Sequence, residues 1–254
     1  MIEFALAGRL RGRLHARCIA GLRTLARLAA CILPASVLMV SNGASQTVNS
    51  ATASSSKRLV ITGASYAADW KTPAMPGFDA VLNAGVGGEE THQVLARFDR
   101  DVLAAGPSAV LIWGHINNIH RAPPGQVEAA KQRAIADYQE MVRRARDADV
   151  RVILATEVTL SEAVGWKNRL AALVGKLRGK TGYSSWVNEH VRAVNAWLRT
   201  YAAQERLTLL DFEKVFDDGS GFRKLEYSSD DGTHISAAGY AALTEYTRAQ
   251  LQSK

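Results

Sequence analysis

Arg58-Leu59-Val60-Ile61-Thr62-Gly63-Ala64-Ser65 is the stretch that decides the fold. Leu59, Val60 and Ile61 are apolar in succession, without polar alternation. That is the pattern of a strand covered on both faces. Gly63 punctuates the run, and Ser65 falls at its end, just ahead of a helix beginning near Tyr66. A strand that turns directly into a helix is the opening unit of an alternating α/β chain.

The same alternation continues outward. Arg58–Thr62, Ala80–Asn83, Ala109–Trp113, Val152–Ala155 and Leu207–Asp211 read as five short strands. Helical stripes lie between them, through Val127, Ala130, Ala134, Tyr138, Met141 and Ala145, and through Val187, Val191, Val194, Trp197, Leu198 and Tyr201. Ser236 to Leu251 reads as a closing helix. Strands and helices in alternation predict a parallel sheet with helices on both sides.

Upstream of Lys57 the character changes. Residues 1–56 hold six arginines against Glu3, which is +5 of the chain's formal +7 and leaves +2 for the rest. The folded part is nearly balanced, so nucleic acid is not an expected partner. Both cysteines, Cys18 and Cys31, also lie in the leader, so the body can form no disulfide and no thiolate metal site. The basic stretch is followed by the uncharged run Leu28–Val40 and then by small polar residues. Residues 1–44 therefore read as a signal peptide or other targeting segment, and 45–56 as a flexible linker to a domain over 57–254. Leu28-Ala29-Ala30-Cys31 resembles a lipoprotein processing box, but the apolar run follows the Cys instead of preceding it. Export to the periplasm or exterior is expected, with an uncleaved N-terminal membrane anchor as the alternative.

In a parallel α/β sheet the ligand sits beyond the carboxyl ends of the strands. Four suspicious segments fall there. Ser65 follows the first strand and is a candidate nucleophile, or else a helix cap. Asn83-Ala84-Gly85-Val86-Gly87-Gly88 follows the second, where a Gly88 N–H could meet an oxyanion or simply form a turn. Gly114-His115-Ile116-Asn117-Asn118 follows the third, and the Asn117 amide is a second donor, with Asn118 as its rival. Asp231-Gly232-Thr233-His234 precedes the last helix. There Asp231, or Asp230 in its place, could orient His234 as general base and acid. No metal or cofactor is expected, since His-Glu-x-x-His, Gly-x-Gly-x-x-Gly and Gly-Lys-Ser/Thr patterns are all missing.

These four segments, in this order, resemble the SGNH (GDSL-like) hydrolase superfamily. The resemblance runs from Arg58 to the end and is most specific at Asp231–His234 with the Ala-Ala-Gly-Tyr that follows. It implies a three-layer, flavodoxin-like α/β/α sandwich and a triad of Ser65, His234 and Asp231. It also implies an oxyanion hole made by the Ser65 and Gly88 N–H groups and the Asn117 side chain. Its activities are those of esterases, lipases, thioesterases and carbohydrate deacetylases, with some acyltransferases. Two blocks depart from the family pattern. Ala64 stands where the family usually has Asp, and one extra residue separates Gly114 from Asn117.

The expected reaction is hydrolysis of a carboxylic ester of an acetyl or short acyl group, with a glycan or a lipid as the candidate carrier. An O-acyltransferase of envelope polysaccharide and a non-catalytic glycan-binding module are the alternatives. Trp70, Trp113 and His115 are the candidate substrate contacts, although a Trp ending a buried strand is also ordinary core. The connection Thr159–Ser185, with Trp166 and five basic residues, reads as a lid, a binding loop or one solvated helix.

Overall fold

The structure, a computed structural model, describes residues 56–71, 73–162 and 182–252. The targeting segment, all of the linker but Ser56, and most of the Thr159–Ser185 connection lie outside these residues. Five strands stand at the predicted places, with ends moved by no more than two residues: β1 (Arg58–Gly63), β2 (Ala80–Gly85), β3 (Ala109–Trp113), β4 (Arg151–Ala155) and β5 (Thr208–Leu210). They form one parallel sheet in the order β2-β1-β3-β4-β5.

The described helices are α1 (Ser65–Asp69), α2 (Thr91–Ala96), α3 (Phe98–Asp101), α4 (Ile116–His120), α5 (Val127–Asp147), α6 (Tyr183–Gln204), α7 (Phe212–Phe216) and α8 (Ala237–Gln252). Helix α5 buries Ala134, Tyr138, Met141 and Ala145, the stripe read from its period. It stops at Ala148, after which Asp149 takes φ +57°, a left-handed turn that Asp tolerates better than most residues.

Alternate residues of each strand feed two separate cores. Leu59, Ile61, Leu111, Trp113, Ile153 and Ala155 face one side, with Tyr66 of α1, Trp70 just after it, Phe212 and Phe216 of α7, and Leu243 of α8. Val60, Val110, Ile112, Val152 and Leu154 face the other, with Val94 of α2, Phe98 of α3, Tyr138 of α5 and Leu198 of α6. This is a three-layer sandwich, and it explains the lack of polar alternation in β1, β3 and β4. A fully buried Leu or Ile in either core contributes about 1.5–3 kcal/mol relative to exposure.

The chain leaves β1 toward β2 and returns to β3 on the other flank, so the winding reverses between β1 and β3. A crevice opens beyond the carboxyl ends of strands at such a reversal. The loops after β1, β2 and β3 meet at this edge.

Candidate active site

Strand β1 ends at Gly63 with φ +148°, and a Cβ there would lie 1.6 Å from the Trp113 carbonyl oxygen. Only glycine lets the ends of β1 and β3 approach this closely. The next turn delivers Ser65 as the first residue of α1, half-buried. The first N–H groups of a helix lack intrahelical acceptors, so the Ser65 N–H is available.

The neighbouring Tyr66 ties this helix to the distant imidazole. Its hydroxyl donates to the Thr233 carbonyl at 2.6 Å, and its ring meets that of His234 edge-on, with centroids 6.3 Å apart. No hydrogen bond joins Ser65 to His234; Tyr66 carries the juxtaposition. Helix α8 clamps the same place, through Tyr240 Oη donating to the Tyr66 carbonyl at 3.0 Å and Trp70 Nε1 donating to Thr244 Oγ1 at 3.0 Å.

His234 Nδ1 lies 2.6 Å from Asp231 Oδ2. With the Nδ1 proton facing the carboxylate, Nε2 keeps its lone pair, the tautomer a general base needs. Asp231 Oδ1 accepts from the backbone N–H groups of His234 and Thr233 at 2.8 and 2.7 Å and from Ser229 Oγ at 2.7 Å. Partial burial opposes its ionisation, but the His234 ring and these donors prevail and hold its carboxyl well below the usual range. Asp230 has no such contacts.

The glycine turn after β2 brings Gly88 in with φ +79°. Its N–H is unused by any acceptor among the described residues. Asn117, on α4, donates from Nδ2 to the Glu89 carbonyl at 2.9 Å, so it reaches the same turn. Asn118 is buried, accepting from Thr91 N at 3.1 Å and donating to Thr91 Oγ1 at 2.9 Å. Its amide is buried in holding α4 to α2, whereas Asn117 is half-buried beside the glycine turn.

The substrate-contact reading of Trp70, Trp113 and His115 is corrected. All three are at most 1% exposed. Trp113 packs edge-on against Phe212 at 4.9 Å and Trp70 at 5.9 Å, forming the floor beneath Tyr66. Burial pushes His115 down to about 4, so its ring is neutral, with nitrogens 3.4 Å from Tyr138 Oη and the Val191 carbonyl. The reason is common to all three. Trp113 ends a strand covered on both faces, and Trp70 and His115 cap helices packed against the sheet, so their rings enter the core, not the mouth.

Three buried charges that sequence reading missed organise the edge. Glu157 Oε2 accepts from the His115 and Ile116 N–H groups at 2.7 and 3.2 Å, directly under the Asn117 loop. Burial pushes its carboxyl up to about 7 against these donors. Arg97 joins the ends of β1 and β2 to the glycine turn, donating to the carbonyls of Gly63 (3.2 Å) and Ala84 (2.6 Å) and to Glu89 Oε2 (2.7 Å). Arg223 donates to the Thr233 and Gly232 carbonyls at 2.7 and 3.2 Å and lies 5.8 Å from the Tyr66 ring centroid. Glu157 had a findable signal, a carboxylate just past β4 at the same edge. The arginines had none. Among the described residues, no cluster of three or more His, Cys, Asp or Glu side chains is placed to hold a metal ion.

The pattern that defines the GDSL-like lipase/acylhydrolase family matches residues 43–242. The chain belongs to that family. Similar solved structures share the fold. A GDSL-like lipase from Bacteroides thetaiotaomicron VPI-5482 is 18% identical with a TM-score of 0.58, covering 78% of this chain and 88% of its own. An acetylxylan esterase from Geobacillus stearothermophilus is 16% identical with a TM-score of 0.53, covering 77% and 94%. In sequence, the chain is 26% identical over 146 residues to the uncharacterized lipoprotein YqeF of Bacillus subtilis (strain 168). That match spans 56% of this chain and 58% of YqeF. GDSL-like members thus supply both the sequence pattern and the architecture seen here.

Proposed function

We propose that this chain is a serine esterase that cleaves acetyl or short acyl esters, on a glycan or lipid, through an acyl-enzyme. The observation that carries the reading is His234 held at Nδ1 by Asp231, in a loop tied by Tyr66 to the helix that Ser65 begins. Ser65 Oγ attacks the ester carbonyl carbon while its proton passes to His234 Nε2. The oxyanion receives the N–H groups of Ser65 and Gly88 and the Asn117 amide. Collapse of the intermediate breaks the bond to the alcohol, which leaves with the proton from His234. Water, deprotonated by the same nitrogen, then releases the acid and restores Ser65. Each oxyanion donor of this kind is typically worth about 2.7–4 kcal/mol of barrier.

The esterase class is supported by the family and by the acetylxylan esterase's similar fold. Placement outside the cytoplasm, with any membrane contact made through the N-terminal segment, is supported by the leader's composition and by the lipoprotein relative. Among the described residues no helix is long and apolar enough to cross a membrane.

The test is fluorophosphonate labelling with peptide mapping, alongside p-nitrophenyl acetate hydrolysis. Label on Ser65, and hydrolysis lost in Ser65→Ala, are expected. Label elsewhere, or turnover that survives the substitution, refutes the reading.

A further inference from the structure

Asn117 and Arg121 are four residues apart across the end of α4, and the Arg121 N–H bonds to the Asn117 carbonyl at 3.0 Å. This spacing puts both side chains on one face of the helix. Both reach the same turn. Asn117 meets the Glu89 carbonyl, and the Arg121 guanidinium lies against Gly88, where a Cβ would stand 3.1 Å from Nη2. The end of α4 is steadied by His120 Nδ1, 2.6 Å from the Tyr183 hydroxyl.

Among the described residues the guanidinium itself has no partner. Arg121 is exposed and forms no side-chain hydrogen bond or ion pair among the described residues. The acids of the facing turn are engaged elsewhere. Glu89 pairs with Arg97 at 2.7 Å, and Glu90 caps α2 and faces His92 at 3.5 Å. A cation is thus held beside the proposed oxyanion donor Gly88 with its hydrogen-bonding edge unspent. Arg is suited to carboxylates because its planar fork can donate two bonds at once.

We propose that Arg121 binds a carboxylate carried by the ester substrate, so that the site selects anionic esters. This rests on the esterase reading above. The carboxylate can belong to the acyl part or to the alcohol part, and two substrate pairs separate these sources. The acyl pair is p-nitrophenyl hydrogen succinate against p-nitrophenyl methyl succinate. The alcohol pair is para-acetoxybenzoate against its methyl ester.

In one pair the wild type favours the anionic member in kcat/KM. Arg121→Gln lowers that anionic-to-neutral ratio by about ten- to a hundredfold, the range of a charge-assisted hydrogen bond. Arg121→Lys restores part of it, and added salt erodes the wild-type ratio because the pair is exposed. A wild-type ratio near one in both pairs overturns the proposal. So does a ratio that Arg121→Gln leaves unchanged because both members fall together, which would make Arg121 a general oxyanion donor. Ser65-dependent turnover of the neutral esters keeps the esterase reading standing in those cases. Failure of the wild type to turn over any ester refutes that reading and this one with it.

Discussion

Asp231 spends both oxygens on one short loop, taking the imidazole on Oδ2 and three further donors on Oδ1. An amide at this position would offer the imidazole a donor where it needs an acceptor and would turn Nε2 into the protonated nitrogen. Asp231→Asn is therefore expected to lower kcat by roughly 10²–10⁴-fold while leaving the fold intact. The same contacts keep the carboxyl charged far into acid. From about pH 5 to 8, kcat/KM should therefore carry no inflection that belongs to this carboxyl. An inflection in that range that Asp231→Asn removes would contradict the geometry.

Between elements, the joint that matters is α1 against the loop that carries His234. Tyr66→Phe keeps the ring on Trp113 and removes the hydroxyl bond to Thr233. The Thr233 carbonyl still has Arg223, so the stability cost should be at most about 1 kcal/mol. The alignment of Ser65 with His234 should suffer more. We expect kcat to fall about tenfold with KM little changed, since only an interaction used in the transition state is lost. Steady-state kinetics beside a thermal melt distinguish this from simple unfolding. The elements themselves were legible. Runs such as Val110-Leu111-Ile112 have a length and lack of alternation that only a doubly covered strand explains. The edge was legible too, because parallel topology gathers the ends of β1, β2 and β3 wherever their side chains point. Orientation was not. Trp70, Trp113 and His115 read the same in sequence whether they line a mouth or lie beneath it. That Asn118 is buried and Asn117 is not was equally invisible. Arg97 and Glu157 meet partners 34 and 42 residues away; its place just past β4 marks Glu157, but nothing local announces Arg97.

For the molecule as a whole, Glu157 is a cost as well as a support. Its folded value is about 7 against an ordinary 4.5, raised by burial. Between those values the native state binds more protons than the unfolded one, so this group's contribution to stability declines as pH rises. Asp231 acts in the opposite sense: its depressed value contributes stability that is lost only in acid. Glu157→Gln should melt earlier than wild type in mild acid, because its single accepting oxygen cannot serve both the His115 loop and the Val158 N–H. The gap should narrow as pH climbs toward neutrality, and melts across the range check it. A constant gap would mean that the carboxyl does not titrate there. The layered body also separates its two reactive ends: the bond that joins them, from Tyr66 to Thr233, spans 167 residues. A ribosome therefore delivers the proposed nucleophile long before the proposed base. Until the loop that carries His234 docks on α1, a growing polypeptide lacks the pairing that the proposed hydrolysis needs.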